Sequence, residues 1–124
     1  MTYEDAVVVA IDEKDPDPGM LRWAAVEAVG RGKRLVVVHI CEWLEGERPP
    51  RPMYRSADRP PGIRVGPERV VGAALDLVRG EFPGLTVTAE IGIGRPTPAL
   101  LKLSEDAAMV VVGARGVGGF PGLL

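Results

Sequence analysis

Ala6-Val-Val-Val-Ala-Ile-Asp12 decides the fold: six apolar residues in succession, closed by a carboxylate. A strand with one wet face alternates apolar and polar side chains. An unbroken apolar run instead marks a strand covered on both faces, as in a parallel sheet between layers of helices. Leu35-Val-Val-Val-His-Ile40 repeats the pattern, and so does Met109-Val-Val-Val112. A further strand, residues 86–91, alternates Val87, Ala89 and Ile91 with Thr86, Thr88 and Glu90, and is expected near a sheet edge with one wetter face.

Helical signals fill the intervals. Asp17 followed by Pro18 starts a helix, the carboxylate capping free N–H groups and the proline suiting the first turn. Leu21, Ala24, Ala25 and Ala28 form its inward stripe, and Gly30 and Gly32 end it. Gly66-Pro67 opens a second helix with Val71, Ala74, Leu75, Val78 and Phe82 on one face, stopped by Pro83-Gly84. Thr97-Pro98 caps a short third helix through about Asp106. The order is therefore β-α-β-α-β-α-β, which predicts an α/β fold with a doubly wound parallel sheet and right-handed crossovers. On such sheets ligands sit beyond the strand C-termini where strand order reverses. That places Asp12 beside Gly113.

Composition narrows the function. The 124 residues suffice for one domain, and 46% apolar content is enough to build its core. Aromatic residues make up only 5%, too few for a base-stacking or sugar-binding surface. Fifteen basic and seventeen acidic side chains leave a net charge of −2, so no general attraction to nucleic acid or anionic membrane is expected. The single cysteine, Cys41, allows no internal disulfide, and one Cys with one His does not make a zinc site. An acidic N-terminus and the lack of a long apolar run lead to the expectation of a cytoplasmic protein. Residues 42–64, with five prolines and five arginines and little periodicity, are expected to form a long flexible loop.

The chemistry concentrates in Gly113-Ala-Arg-Gly-Val-Gly-Gly-Phe-Pro-Gly122, where five of ten residues are glycine. Glycine allows positive φ and lets bare amides approach a ligand, and successive amides form an anion-binding concavity. On composition alone, a flexible connection accounts for this loop equally well. Other nucleotide readings fail on motif. There is no Gly-Lys-Ser/Thr ending for a Walker loop, and the turn after the first strand is acidic and proline-rich rather than glycine-rich. A phosphoreceiver would need an aspartate where Gly92-Ile-Gly94 stands. His39 reads as a buried structural histidine, since no Ser or Cys nucleophile is placed to use it. Cys41, beside Glu42, reads as an inert thiol. Trp23 and Met20 read as half-buried packing on the first helix.

Val112-Gly-Ala-Arg-Gly116, followed by Gly118-Gly-Phe-Pro-Gly122, resembles the glycine loop of the nucleotide-binding universal stress proteins. Their loop carries Gly, two residues, Gly, nine residues, then Gly with Ser or Thr. Gly113 and Gly116 match the first pair, and the last pair would fall just beyond Leu124. Val8-Val-Ala-Ile-Asp12, Leu21-Arg-Trp-Ala24, Val36-Val-Val-His39, Gly94-Arg-Pro96 and Ala107-Ala-Met-Val-Val-Val-Gly113 extend the resemblance over the chain outside residues 42–64.

The resemblance implies an adenine-nucleotide α-hydrolase-like sheet with strand order 3-2-1-4, and a single domain over residues 1–124 that is incomplete at its C-terminus, its fifth strand missing. It implies an ATP-binding stress or signalling module, with Mg2+ as the companion ion of the nucleotide, slow hydrolysis at most, and a homodimer in full-length form. Ala10, Ile11 and Asp12 are implied to contact adenine and ribose, Val38 to pack on the base, and Val112 to line its pocket. Gly113, Arg115 and Gly116 are implied to hold phosphate. Against the family's Gly-Ser after the first-strand aspartate, this chain has Glu13-Lys14, then Asp15 and Asp17. Those acids would repel bare phosphates unless a divalent cation screens them or they serve as turn and cap residues. The alternative is a non-nucleotide interaction protein on the same fold, using its edge strand or the Arg/Pro loop.

Overall fold

The structure, a computed structural model, describes residues 2–12, 17–41, 54–58 and 66–113. Its strands are Ala6–Ile11 (β1), Arg34–Cys41 (β2), Tyr54–Arg55 (β3), Val87–Ile93 (β4) and Met109–Val111 (β5). Its helices are Pro18–Arg31 (α1), Gly66–Glu81 (α2) and Pro96–Ser104 (α3), with one 3-10 turn at Ser56–Asp58. The strands form one sheet in the order β3-β4-β2-β1-β5.

The four strands expected from the apolar runs join through three parallel pairings, in the expected relative order. The sheet departs from the expectation at one edge. Tyr54 and Arg55, inside the stretch read as a loop, pair antiparallel with Ile91 and Glu90 of β4. The sheet is therefore mixed, mostly parallel. Two residues carry no detectable periodicity, which is why sequence pattern cannot reveal such a strand.

Strand alternation divides the sheet into two cores. Val7, Val9, Ile11, Leu35, Val37, Val87, Ala89 and Ile91 face α1 and α2. Ala6, Val8, Ala10, Val36, Val38 and Ile40 face α3 and Tyr3. The β1-α1-β2 and β2-α2-β4 crossovers step outward with their helices on one face. The β4-α3-β5 crossover returns past β1, and right-handedness then sends α3 to the opposite face. Strand order thus reverses between β1 and β5.

Local chemistry sets the ends of α1. Asp17 is extended (φ −68°, ψ 109°), and its carboxylate accepts from the Gly19 and Met20 amides at 3.0 and 3.4 Å. It is a helix cap, one of the two roles open to it from sequence. Gly32 (φ 63°) ends the helix in the left-handed region, while Gly30 lies inside it. Leu21, Ala24, Ala25 and Ala28 are fully buried as the periodicity requires. Trp23 is not packing: it is 53% exposed on the outward side of α1, with Val26 and Val29 also exposed.

The third helix begins two residues earlier than expected, at Pro96, after an extended Arg95 that makes no side-chain cap. It ends at Ser104, short of Asp106. Pro96 and Pro98 have no N–H to satisfy, so a capping side chain has less to do there. The helix α2 stops at Glu81, leaving Phe82 half-buried just past its end.

Residue 90 breaks the expectation of a wet face on β4. Glu90 is only 1% exposed, and its Oε1 accepts from the Tyr3 hydroxyl at 2.6 Å. Tyr3 belongs to the core on the α3 side. A buried carboxylate needs such a donor, because leaving one unsatisfied costs several times the net value of an ordinary hydrogen bond. Burial first, and then the bond to Glu90, push the Tyr3 phenol well above the ordinary tyrosine value.

Two stability predictions follow from these contacts. Replacing Tyr3 by Phe strands the Glu90 carboxylate, and urea denaturation is expected to register a loss of about 1–3 kcal/mol. A raised phenol pKa means that the fold favours neutral Tyr3. Its contribution is therefore complete below the unfolded value of about 10 and is lost as pH rises beyond it. The gap between wild type and Tyr3→Phe is expected to shrink above that pH. At Gly32 a Cβ would meet no atom within 4 Å, so Gly32→Ala tests backbone conformation alone. It is expected to cost about 1 kcal/mol in the same measurement.

Candidate functional site

The C-terminal ends of β1, β2, β4 and β5 meet at one rim of the sheet. β1 and β5 pair as Val7–Met109, Val8–Val110 and Val9–Val111. Continuing that register sets Ala10 level with Val112 and Ile11 level with Gly113. Adjacent strands lie about 4.8 Å apart, so Asp12, the first residue beyond β1, stands diagonally beside Gly113. Both are half-buried. They are therefore neighbours at the rim where strand order reverses.

The register also aligns three of the candidate pocket residues. Ala10 pairs with Val38 across β1 and β2, and Ala10 is level with Val112 on the other side. Val38, Ala10 and Val112 form one apolar row on the α3 face. Within it Val38 has no exposed surface and Ala10 only 2%. Ile40, two residues nearer the rim on the same face, keeps 8% and lies level with Asp12. Ile40 is the apolar side chain that sequence reading missed. The signal was available: it is the next residue of the same alternation, one step closer to where β2 ends.

Ile11 contributes differently from Ala10. Its side chain points into the α1/α2 core and is 2% exposed, so only its backbone faces the site. Its carbonyl accepts from His39 Nδ1 at 3.0 Å. Because a carbonyl only accepts, Nδ1 carries the proton in this bond. His39 is 2% exposed, which agrees with a structural, buried histidine. Its Nε2 is also buried and has no hydrogen-bond partner among the described residues.

The rest of the rim is backbone geometry. Gly94, buried, donates its N–H to the Cys41 carbonyl at 2.8 Å and holds φ 146°. A side chain there would be strained, so this glycine makes the turn from β4 into α3 possible. Cys41 is half-buried at the end of β2. Arg115 and Gly116, read as phosphate ligands, lie outside the described residues, as do Asp15 and most of the glycine loop.

Beside the rim, on the α1 side of β5, a groove of about 600 Å³ opens. Asp17, Met20 and Trp23 form one wall, and Met109 to Gly113 form the other. This volume lies within the usual range for small-molecule pockets, roughly 300–1,000 Å³. Among the described residues no helix is long and apolar enough to cross a membrane.

The universal stress protein family model matches residues 5–124. The chain is 32% identical over 123 residues to universal stress protein Rv2623 of Mycobacterium tuberculosis, covering 95% of this chain and 40% of that one. Universal stress protein Rv1996 of the same organism is 32% identical over 118 residues, covering 94% of this chain and 37% of the relative. Universal stress protein Rv2005c is 29% identical over 120 residues, with 93% and 39% covered. The chain thus spans about two fifths of the length of the relatives it matches. The family match over residues 5–124, together with these identities, shows that the chain belongs to the universal stress protein family.

Proposed function

We propose that the rim formed by Asp12, Ile40 and Gly113 binds an adenine nucleotide, ATP with Mg2+, and that occupancy changes how the protein associates. The observation that carries this reading is the β1–β5 register, which brings a carboxylate and the first loop glycine together at the reversal point. In this reading the base lies against the apolar row ending at Ile40 and Val112. The Asp12 carboxylate accepts from ribose hydroxyls, and the amides from Gly113 to Gly116 with the Arg115 guanidinium hold the phosphates. Asp17 already serves as a helix cap, which removes one of the acids expected to oppose phosphate. The role is binding rather than rapid turnover. We place the domain in the cytoplasm, on its single half-buried cysteine, and infer a homodimer for the longer protein.

A second reading, interaction without nucleotide, is supported by the groove between α1 and β5 and by the exposed Trp23 beside it. Exposed apolar surface of this kind is a common mark of contact with another macromolecule.

Calorimetric titration of the intact protein with MgATP separates the two. The nucleotide reading expects saturable heat, and no heat at millimolar ATP would overturn it. Removing a guanidinium that bonds phosphate costs about 1.5–3 kcal/mol, so Arg115→Ala is expected to weaken binding by roughly tenfold or more. Under the interaction reading the same variant leaves the titration unchanged.

A further inference from the structure

We propose that His39 is a positioning residue for Asp12, and so sets how strongly the site holds ribose hydroxyls; this rests on the nucleotide reading above. His39 and Ile11 are direct partners in the β1–β2 register, so the ring spans one strand gap to reach the Ile11 carbonyl. That carbonyl and the Asp12 amide belong to the same planar peptide unit. The bond therefore fixes the plane from which Asp12 leaves the sheet. Asp12 is the first residue past the β1 ladder, and hydrogen bonds donated to a carboxylate tolerate displacements of only about 0.5 Å. A small tilt of the Ile11–Asp12 peptide is enough to spoil the contact.

Packing does not explain the choice of residue. The ring fills a fully enclosed position on a strand of valines, yet it leaves Nε2 buried with no partner among the described residues. Leucine or phenylalanine would fill the space without an orphan acceptor, and buried polar atoms left in this way call for a reason. The Nδ1 donor is what an apolar side chain lacks.

The test titrates intact wild type, His39→Asn and His39→Leu with MgATP and with the magnesium complex of 2′,3′-dideoxyATP, each chain first checked for native circular dichroism. Asparagine sets an amide N–H close to the position of Nδ1; leucine has no donor. The expected result is that His39→Leu binds ATP about five- to twentyfold more weakly but binds the dideoxy analogue within about twofold of wild type. His39→Asn is expected to recover ATP binding to within about twofold. Should the leucine chain fail to fold, His39→Gln takes its place with the same expectation, because its amide reaches the Nε2 end instead. Equal ATP binding by wild type and the leucine chain would overturn the proposal. So would an equal loss for both nucleotides, which is the mark of a general structural defect, or a failure of asparagine to rescue. If wild type binds neither nucleotide, the nucleotide reading itself fails, and this inference with it.

Discussion

A strand with no exposed residue must find hydrogen-bond partners along both edges and apolar cover on both faces. β1 meets all four demands: β2 on one edge, β5 on the other, α1 on one face, and α3 with Tyr3 on the other. Unpaired buried backbone is too costly to leave, so this one strand dictates where the rest of the chain goes. The β2 and β4 strands extend the sheet away from it on one side. The chain must then cross back to supply β5, and that return creates the reversal point. The rim where Asp12 and Gly113 stand together is a geometric consequence of burying Ala6–Ile11.

The two polar residues enclosed in this sheet show how the apolar framework accommodates exceptions. Glu90 is held by a short bond from Tyr3, which draws the N-terminal segment across the α3 face and covers part of the sheet there. His39 is held on the other face by the Ile11 carbonyl. The difference lies in satisfaction. The Glu90 bond couples two parts of the fold distant in sequence and serves stability. The His39 bond acts on the last peptide of the strand that carries the candidate site, and it leaves one ring nitrogen without a partner among the described residues. Groups of the first kind hold a fold together, whereas those of the second kind tend to gather where structure serves a ligand.

Membership in the universal stress protein family explains the framework but leaves open the surface that distinguishes this chain. The relatives are about two and a half times as long, so each contains more than one such length of polypeptide. The exposed Trp23, Val26 and Val29 on the outer side of α1 form an apolar strip that the sheet does not use. The groove beside it reaches the same rim through Gly113. The proposed nucleotide rim and this apolar groove therefore adjoin on the fold.

Much of this architecture was legible in the amino-acid order because its signals are local. Runs such as Ala6–Ile11 and Leu35–Ile40 announce burial on both faces, and Asp17-Pro18 and Gly32 announce helix ends through bonds to their own neighbours. The alternation of strands and helices, with crossover handedness, then places Asp12 opposite Gly113. What the order could not disclose depends on partners distant in the chain. The β3 strand is two residues long and exists only because β4 offers an edge. Glu90 looks solvent-facing until Tyr3, 87 residues away, supplies a donor. Trp23 looks like half-buried packing until the α1 stripe of leucine and alanines takes the inward side. The tether from His39 to Ile11 likewise emerges only once register is set. Local bonds and periodicity decide elements from sequence alone, whereas burial of polar groups and the rim of a site are settled by which strands come to lie side by side.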